Sequence, residues 1–357
     1  MHFYRITPCN NVCCNNINII LYAQAILLAC VLSLFSVRAW AEPAEPISSS
    51  NQSTEFFLQQ MAESFAELNY DLSYIQVFEG VIEPKRLSHG VLEGVEISYL
   101  SHLNGPPTEY VQRGKQVSFF EPDIEPYTLE TQLQQGSLFR IAKQSLTQLQ
   151  QSYDFVQAGK SRVAGRPAQV IRMSPKDGDR YGYLLWLDRH TSLPLRIDTL
   201  DLQGQLVEQM MAISLRLYNE ATPWIAELST VDLPAVVKVN AKSPANTAGW
   251  QLSWLPKGFK VISSDSHSIP ITGDAVDYFM VSDGVAVISV YIEADDQPLG
   301  SFTPVARKGA LNLITVKHRG NKITVVGDIP AETGLKIAKS VMATGSKSTV
   351  EQGNNNG

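Results

Sequence analysis

Cysteine is confined to the first 30 residues of this 357-residue chain, at Cys9, Cys13, Cys14 and Cys30. A leader that is cut after Ala41, as the N-terminal pattern predicts, would remove all four. The remaining chain could then form no disulfide, no thiolate zinc site and no cysteine nucleophile. Its fold must be held together by the burial of apolar side chains.

Motifs with a known catalytic mechanism are also missing. The sequence has no G-x-S-x-G, H-E-x-x-H, G-x-x-x-x-G-K or G-x-G-x-x-G pattern. Beyond the leader the histidines are scattered and never four residues apart, at His89, His102, His190, His267 and His318. We therefore predict no catalytic residue, no metal site and no cofactor. A hydrolase acting on the cell envelope is an alternative that a turnover assay would test.

An uncharged apolar run occupies residues 19–37, and it is followed by Ala39-Trp40-Ala41. An A-x-A sequence ahead of a polar segment is typical of a secretory signal peptide, which predicts residues 1–41 as the signal and export to the periplasm. Two alternatives stay open. The run is nearly long enough for an uncleaved membrane anchor, and LLAC at residues 27–30 resembles a lipobox, although the apolar run continues beyond it.

The charge balance bears on the class of partner. Removal of Arg5 and Arg38 with the signal would leave 27 basic side chains against 35 acidic ones, a formal charge of −8. A net acidic chain is a poor binder of nucleic acid, because the phosphates repel it. We therefore expect no nucleic-acid partner.

Residues 53–221 are predicted to form one meandering sheet around one or two helices. Apolar residues recur at helical spacing after Ser53, which is a suitable N-cap, and residues 137–151 show a second helical pattern. Segments rich in β-branched and aromatic residues, separated by turn formers, predict successive antiparallel hairpins. Residues 42–52 are rich in proline and serine and predict a flexible lead-in.

One predicted strand, at residues 180–189, is apolar on both faces. Tyr183, Leu185 and Leu187 alternate there with Leu184 and Trp186. A sheet that is apolar on both sides needs cover on both. Two helices leave room for a cavity inside a large curved sheet, which indicates a hydrophobic ligand. The alternative is that the helices fill the concavity.

The composition changes at residues 222–247, where three prolines and many small residues predict a linker with an edge strand. A second, α+β domain is predicted at residues 248–343. It opens with GWQLSWLPKGFKV, in which Trp250 and Trp254 begin a predicted hairpin turning at residues 255–258. We expect core packing for at least one of these tryptophans. A helix is predicted after Pro330, and residues 344–357 are predicted to be a disordered tail.

Seven segments in this order make the chain resemble the RseB/MucB family of periplasmic sigma-E regulators. They are LNYDLSYI (68–75), GPPTEYVQRGKQVSFFEPDIEPYTL (105–129), YDFVQAGKSRVAGRPAQVIRM (153–173), DGDRYGYLLWLD (177–188), LPLRID (193–198), WLPKGF (254–259) and ITVVGDIP (323–330). Together they extend over essentially the whole exported chain.

The resemblance implies a mainly β, α+β fold. A large half-open antiparallel β-barrel with helices, like the lipoprotein carriers of the LolA type, would be followed by a smaller α+β C-terminal domain. It also implies a negative regulator of the envelope-stress response. Family members bind the periplasmic domain of the anti-sigma factor RseA, shield it from the site-1 protease DegS, and are released by lipopolysaccharide or a related acyl lipid. It supplies no RseA-contacting residue for this sequence, and homo-oligomer formation stays open.

Candidate lipid contacts are six aromatic residues of the predicted barrel: Tyr70, Tyr74, Tyr99, Phe119, Tyr183 and Trp186. The alternative for each is core packing, since aromatic residues in strands mostly pack. A plain periplasmic carrier of lipid or lipoprotein would use the same barrel, but it would not need the second domain. We further predict that the domains reorient through residues 222–247 when lipid binds.

Overall fold

The computed structural model describes residues 53–130, 136–237, 249–268, 275–294 and 305–344. The predictions of a signal peptide (1–41), a lead-in (42–52), the rest of the linker (238–247) and a tail (from 345) lie outside these residues.

A single antiparallel sheet dominates the first domain. Its strands are β1 (Asn69–Phe78), β2 (Val81–Leu92), β3 (Val95–His102), β4 (Glu109–Arg113), β5 (Gln116–Phe120), β6 (Tyr127–Glu130), β7 (Tyr153–Val163), β8 (Arg166–Pro175), β9 (Gly182–Asp188), β10 (Pro194–Leu200) and β11 (Leu206–Tyr218). The order across the 11 strands is β6-β5-β4-β3-β2-β1-β11-β10-β9-β8-β7. Two hairpin meanders therefore meet at β1 and β11. Strands β6 and β7 end this sheet without pairing to each other, so the predicted half-open barrel is confirmed.

Helices α1 (Thr54–Glu67), α2 (Ser137–Ala142) and α3 (Leu146–Ser152) cover the concave face. The Ser53 hydroxyl caps α1, as predicted, by accepting a hydrogen bond from the backbone N–H of Phe56 at 3.2 Å. Leu58 and Met61 of α1 are completely buried in one core cluster with residues from both meanders, such as Leu87 and Ile171. The helices and both meanders therefore share one hydrophobic core.

The prediction of one continuous helix over residues 137–151 is wrong, because the chain breaks between α2 and α3. Lys143 ends α2, and Ser145 has an extended backbone. The Ser145 hydroxyl accepts a hydrogen bond from the backbone N–H of Gln148 at 3.4 Å and starts α3. Apolar spacing continues through the break, so the periodicity alone does not reveal it.

The linker prediction is wrong for its first part, which contains helix α4 (Pro223–Thr230). The Thr222 hydroxyl caps this helix, and Ile225 and Leu228 pack on the convex face of the sheet. The backbone N–H of Val237 then bonds to the carbonyl of Thr128 on β6 at 2.8 Å. Residues 222–237 are thus attached to the first domain.

The second domain contains β12 (Trp250–Leu252), β13 (Lys260–Ser268), β14 (Ala275–Ser282), β15 (Val287–Ala294), β16 (Val305–Lys308), β17 (Leu311–His318), β18 (Asn321–Gly327), α5 (Ala331–Lys339) and β19 (Val341–Ala343). Six of these strands form an antiparallel sheet in the order β13-β14-β15-β18-β17-β16. Ile337 and Ala338 of α5 are buried against Ile288 and Val325 on one face of this sheet. The predicted α+β class is confirmed.

The predicted tryptophan hairpin is wrong, because β12 pairs with β19 and not with β13. The turn ends at Gly258, whose φ of +88° leads the chain into the larger sheet. Trp250 and Trp254 are half-buried against the core of the second domain, and the Trp250 indole N–H donates to Asp277 at 2.7 Å. The predicted core role of the tryptophans is confirmed.

Candidate functional site at the domain interface

A cavity of about 330 Å³ lies between the concave face of the first sheet and the second domain. The first domain lines it with side chains from β1, β2, β3, β4, β9, β10, β11 and α2. The second domain lines it with Lys308, Ala310, Leu311 and Asp328. The cavity therefore depends on both domains.

One side of the cavity is apolar. Alternation along β1 places Tyr74 and Phe78 on the same face as Gln76, and Tyr183 of β9, Met210 of β11 and Phe139 of α2 face the same space. Burial raises the pKa of the Tyr74 and Tyr183 phenols well above the usual range. Both rings are therefore neutral at neutral pH and act as apolar walls with a polar tip.

The other side carries charges that are paired with one another. Lys85 Nζ donates to Gln76 Oε1 at 2.6 Å and lies 3.1 Å from Glu83. Lys308 Nζ of the second domain also lies 3.1 Å from Glu83. Burial lowers the pKa of Lys85, and Glu83 partly opposes this effect. The Lys85–Glu83–Lys308 cluster is therefore an electrostatic link between the domains at the cavity wall.

Glu208 of β11 is the most buried carboxylate of the cavity wall. It accepts hydrogen bonds from the Gln76 amide at 2.8 Å and from the backbone N–H of Ala310 at 3.2 Å. Burial raises the pKa of this carboxyl, because the two donors only partly replace the lost water. Aromatic and aliphatic walls on one side and polar groups on the other make the cavity suited to an amphipathic molecule.

The structure brings together two of the six predicted lipid contacts, Tyr74 and Tyr183. Tyr70 stacks on His89 with ring centroids 4.8 Å apart and packs inside the core. Phe119 stacks on Tyr127 at 4.9 Å. Neither Tyr70 nor Phe119 lines the cavity, although Phe119 also meets the edge of the cavity-lining Tyr110 at 5.5 Å.

The last two candidates lie on the convex side of the first sheet. The Tyr99 ring meets the edge of Trp224, with centroids 5.4 Å apart, beside a shallow groove that Arg86 and Leu103 also line. Trp186 lies under the Arg196 guanidinium at 4.2 Å. Lipid contact by any of the six stays a prediction.

Arg180 is the central polar contact between the domains. Its side chain is 1% exposed and lies against Asp283 of the second domain, which is also 1% exposed. Asp177 accepts two hydrogen bonds from Arg180, at 3.0 and 2.8 Å, and the guanidinium lies 5.0 Å from the Phe259 ring. Burial raises the pKa of Asp283, although backbone N–H donors and Arg180 oppose this effect.

Further contacts surround this ion pair. Arg140 of α2 donates to the carbonyl of Val285 at 2.8 Å and pairs with Asp328. The Tyr181 hydroxyl donates to the carbonyl of Ile329 at 3.1 Å and accepts from Asn312 Nδ2 at 2.8 Å. The domain interface therefore contains several polar contacts besides the Arg180–Asp283 ion pair.

The described residues show neither a membrane-spanning helix nor a metal-binding cluster. No helix among the described residues is long and apolar enough to cross a membrane. Within the part of the chain that the structure covers, His, Cys, Asp and Glu form no group of three or more suited to a metal ion.

Comparisons with known proteins agree over both domains. The family model of the MucB/RseB N-terminal domain matches residues 53–237, and that of the MucB/RseB C-terminal domain matches residues 244–342. Sigma-E factor regulatory protein RseB of Escherichia coli K12 is 32% identical over 309 residues, which are 86% of this chain and 93% of the relative. Sigma factor AlgU regulatory protein MucB of Pseudomonas aeruginosa is 31% identical over 293 residues, 80% of this chain and 89% of the relative.

Solved structures give the same result. The complex structure of Pseudomonas aeruginosa MucA/MucB has a TM-score of 0.66 at 26% identity, covering 82% of this chain and 99% of that one. MucB in complex with MucA(peri) has a TM-score of 0.64 at 27% identity, covering 82% and 100%. Because both family models match and relatives above 30% identity align over most of their length, this chain belongs to the MucB/RseB family.

Proposed function

We propose that this protein is a periplasmic, non-enzymatic negative regulator of a sigma-E-type envelope-stress response. It binds the periplasmic domain of an anti-sigma factor of the RseA/MucA type and shields that domain from site-1 proteolysis. Lipopolysaccharide or a related acyl lipid releases it. The observation that carries the proposal is the likeness of the chain, over 82% of its length, to MucB in a complex with MucA(peri).

The amphipathic cavity supports the lipid part of the proposal. Each methylene moved out of water contributes about 0.8 kcal/mol, so a segment of about six methylenes grosses about 5 kcal/mol before the cost of ordering it. Release of the partner requires a coupling of only about 1–3 kcal/mol between the two binding events. Burial of part of one acyl chain therefore supplies enough free energy for this coupling if the chain is buried only in the partner-free form.

The domain interface favours a regulator over a plain carrier of lipid. In this chain the second domain supplies part of the cavity wall through Lys308, Ala310 and Leu311. A ligand in the cavity would therefore be in contact with both domains. A carrier would need only the barrel, and it would not distinguish an anti-sigma domain from any other envelope protein.

A protection assay tests the proposal. The chain from residue 42 onward is mixed with the periplasmic domain of the anti-sigma factor, the site-1 protease is added, and cleavage is followed with and without lipopolysaccharide. We expect slower cleavage in the complex and restored cleavage after lipid is added. A Met210→Trp variant, whose larger side chain fills the cavity, should protect the anti-sigma domain as strongly as the unmodified chain does. Its protection should be reversed less by lipid. Ile262→Trp, at a side chain 42% exposed on the second domain, is the matched control.

Cleavage that is unaffected by the protein would refute the shielding role. Equal lipid responses in Met210→Trp, Ile262→Trp and the unmodified chain would show that the cavity is not where the lipid acts.

A further inference from the structure

The hairpin turn between β16 and β17, residues 308–311, closes one side of the cavity. Lys308, Ala310 and Leu311 all line it, and Ala310 is only 4% exposed although it lies in a turn. Ala310 belongs to the hydrophobic core cluster of the first domain, not to that of its own domain. The turn is thus inserted into the neighbouring domain.

The turn is packed so closely that a side chain larger than glycine at residue 309 would force Glu208 to move. A Cβ atom there would lie 2.5 Å from Glu208 Oε2 and 3.2 Å from Phe78 Cβ. Gly309 also has a φ of +60°, in the left-handed region that favours glycine. Both Glu208 and Phe78 line the cavity, so the turn contacts the same side chains that a ligand would contact.

Polar contacts hold the turn at its tip and at its outer edge, where Lys308 Nζ also lies 5.3 Å from the centroid of the Phe78 ring. Glu208 accepts from the backbone N–H of Ala310, while the ion pairs Arg307–Glu79 and Lys308–Glu83 hold its outer edge. The side chains of Arg307 and Lys308 are 48% and 66% exposed, and ion pairs this exposed contribute little to stability. Release of the turn exposes the buried Ala310 side chain but leaves the buried contacts of Arg180 and Tyr181 intact, so it breaks fewer contacts than release of the whole domain.

Asn312, directly after the turn, is held in place by hydrogen bonds and would not move with the turn. It is 2% exposed and its Nδ2 donates to the Tyr181 hydroxyl and to the carbonyl of Ile329, both at 2.8 Å. The contacts that Arg180 and Arg140 make with the second domain do not involve the turn. The turn can therefore move while the rest of the interface remains in place.

We infer that residues 308–311 form a lid on the cavity, and that docking of this lid and occupancy by an apolar ligand compete for the space around Phe78 and Glu208. The lid is the structural element through which ligand occupancy reaches the second domain. Its role in regulation rests on the proposed function, but its competition with a ligand does not.

Two glycine variants test the inference. Gly309→Ala places a methyl group against Glu208 and Phe78 and should displace the lid. Gly320→Ala is the matched control, because Gly320 lies in the next hairpin turn at φ +77° with nothing within 4 Å of its Cβ position. Uptake of the fluorescent apolar probe 1-N-phenylnaphthylamine is followed by stopped flow. We expect uptake about tenfold faster in Gly309→Ala, the effect of about 1.4 kcal/mol lost from lid docking, and an unchanged rate in Gly320→Ala.

A cross-link tests the opposite change and does not depend on the folding of Gly309→Ala. Glu79→Cys and Arg307→Cys replace an ion pair whose atoms are 2.6 Å apart, in a chain from residue 42 that has no other cysteine. A cleavable bis-maleimide should slow probe uptake about tenfold relative to the same variant blocked with N-ethylmaleimide. Cleavage of the linker should restore the rate.

Three results would overturn the lid: equal uptake by the cross-linked and blocked proteins, equal uptake by the two glycine variants, or no uptake by any of these proteins. Binding of the anti-sigma periplasmic domain is measured in parallel. If the cross-linked protein takes up the probe as fast as the blocked protein and still binds this domain, the lid is refuted but the proposed function is not. If the unmodified chain does not bind the anti-sigma domain, the proposed function is refuted but the lid is not.

Discussion

Replacement of Arg180 by methionine tests how strongly the two domains are held together. The change removes the guanidinium between Asp177 and Asp283 but keeps an apolar side chain near the Phe259 ring, which lies 5.0 Å from the guanidinium carbon. It leaves Asp283, whose side chain is 1% exposed, buried without its cationic partner.

The magnitude follows from what remains around the two carboxylates. Loss of one partner of a buried ion pair costs about 3–5 kcal/mol. Asp283 keeps hydrogen bonds from the backbone N–H groups of Val285 at 3.0 Å and Ala286 at 2.8 Å. Asp177 is 23% exposed and can be hydrated. We therefore expect the lower end of the range, a loss of about 3 kcal/mol in the free energy of unfolding at pH 7.5.

The same variant has a predicted pH dependence. The pKa of Asp283 is already raised in the folded protein by burial, and loss of Arg180 raises it further. Between the ordinary pKa of an aspartate and this raised value, the folded state binds more protons than the unfolded state. Stability therefore falls as pH rises through that window. The cost of Arg180→Met should be smaller at pH 5 than at pH 7.5.

Urea unfolding followed by tryptophan fluorescence measures both effects. Arg86→Met is the control, because Arg86 is 50% exposed and pairs with Asp71 at 2.8 Å, and it should cost less than about 1 kcal/mol. An Arg180→Met protein as stable as the control variant at pH 7.5, or one with a larger loss at pH 5, would refute this reasoning.

Three further predictions concern single elements. Ser145→Ala should cost about 1 kcal/mol in urea unfolding, because it removes the cap that starts α3; no loss would show that the cap is dispensable. Gly90→Ala should cost about 1–3 kcal/mol and speed amide hydrogen exchange in α4, since its Cβ would lie 2.9 Å from Asn69 Oδ1 and 3.1 Å from Ile225; Gly178→Ala, with nothing within 4 Å, should be near neutral. Glu208→Gln removes a carboxyl whose pKa is raised by burial, so the unmodified chain should lose stability relative to this variant as pH rises from about 4.5; a parallel pH profile would contradict this.

Much of the first domain follows from local sequence patterns. Alternating residues and turn formers predict the hairpins within each meander, because consecutive antiparallel strands need only short loops. The pairing of β1 with β11 joins Asn69 to Tyr218. No local pattern predicts a contact between residues so far apart in the sequence. The linker prediction does not include helix α4, because proline is typical of linkers, although it also suits the first turn of a helix after a capping threonine.

The site is less predictable because its parts come from both domains. Tyr183 and Trp186 are three residues apart on β9, so a strand must point them to opposite faces, and only Tyr183 lines the cavity. The same alternation on β1 places Phe78 on the face of Tyr74, so it could have identified Phe78 as a further cavity residue. Glu208 and Gly309 carry no local signal, since their roles appear only when the second domain packs against the first.

The most direct test of the central claim is the affinity of this protein for the anti-sigma periplasmic domain, measured by titration calorimetry with and without saturating lipopolysaccharide. We expect a weakening of about 5–150-fold on addition of the lipid, in line with a coupling of about 1–3 kcal/mol. An unchanged dissociation constant, with lipid bound to the protein in the same sample, would contradict the coupling of the cavity to partner binding.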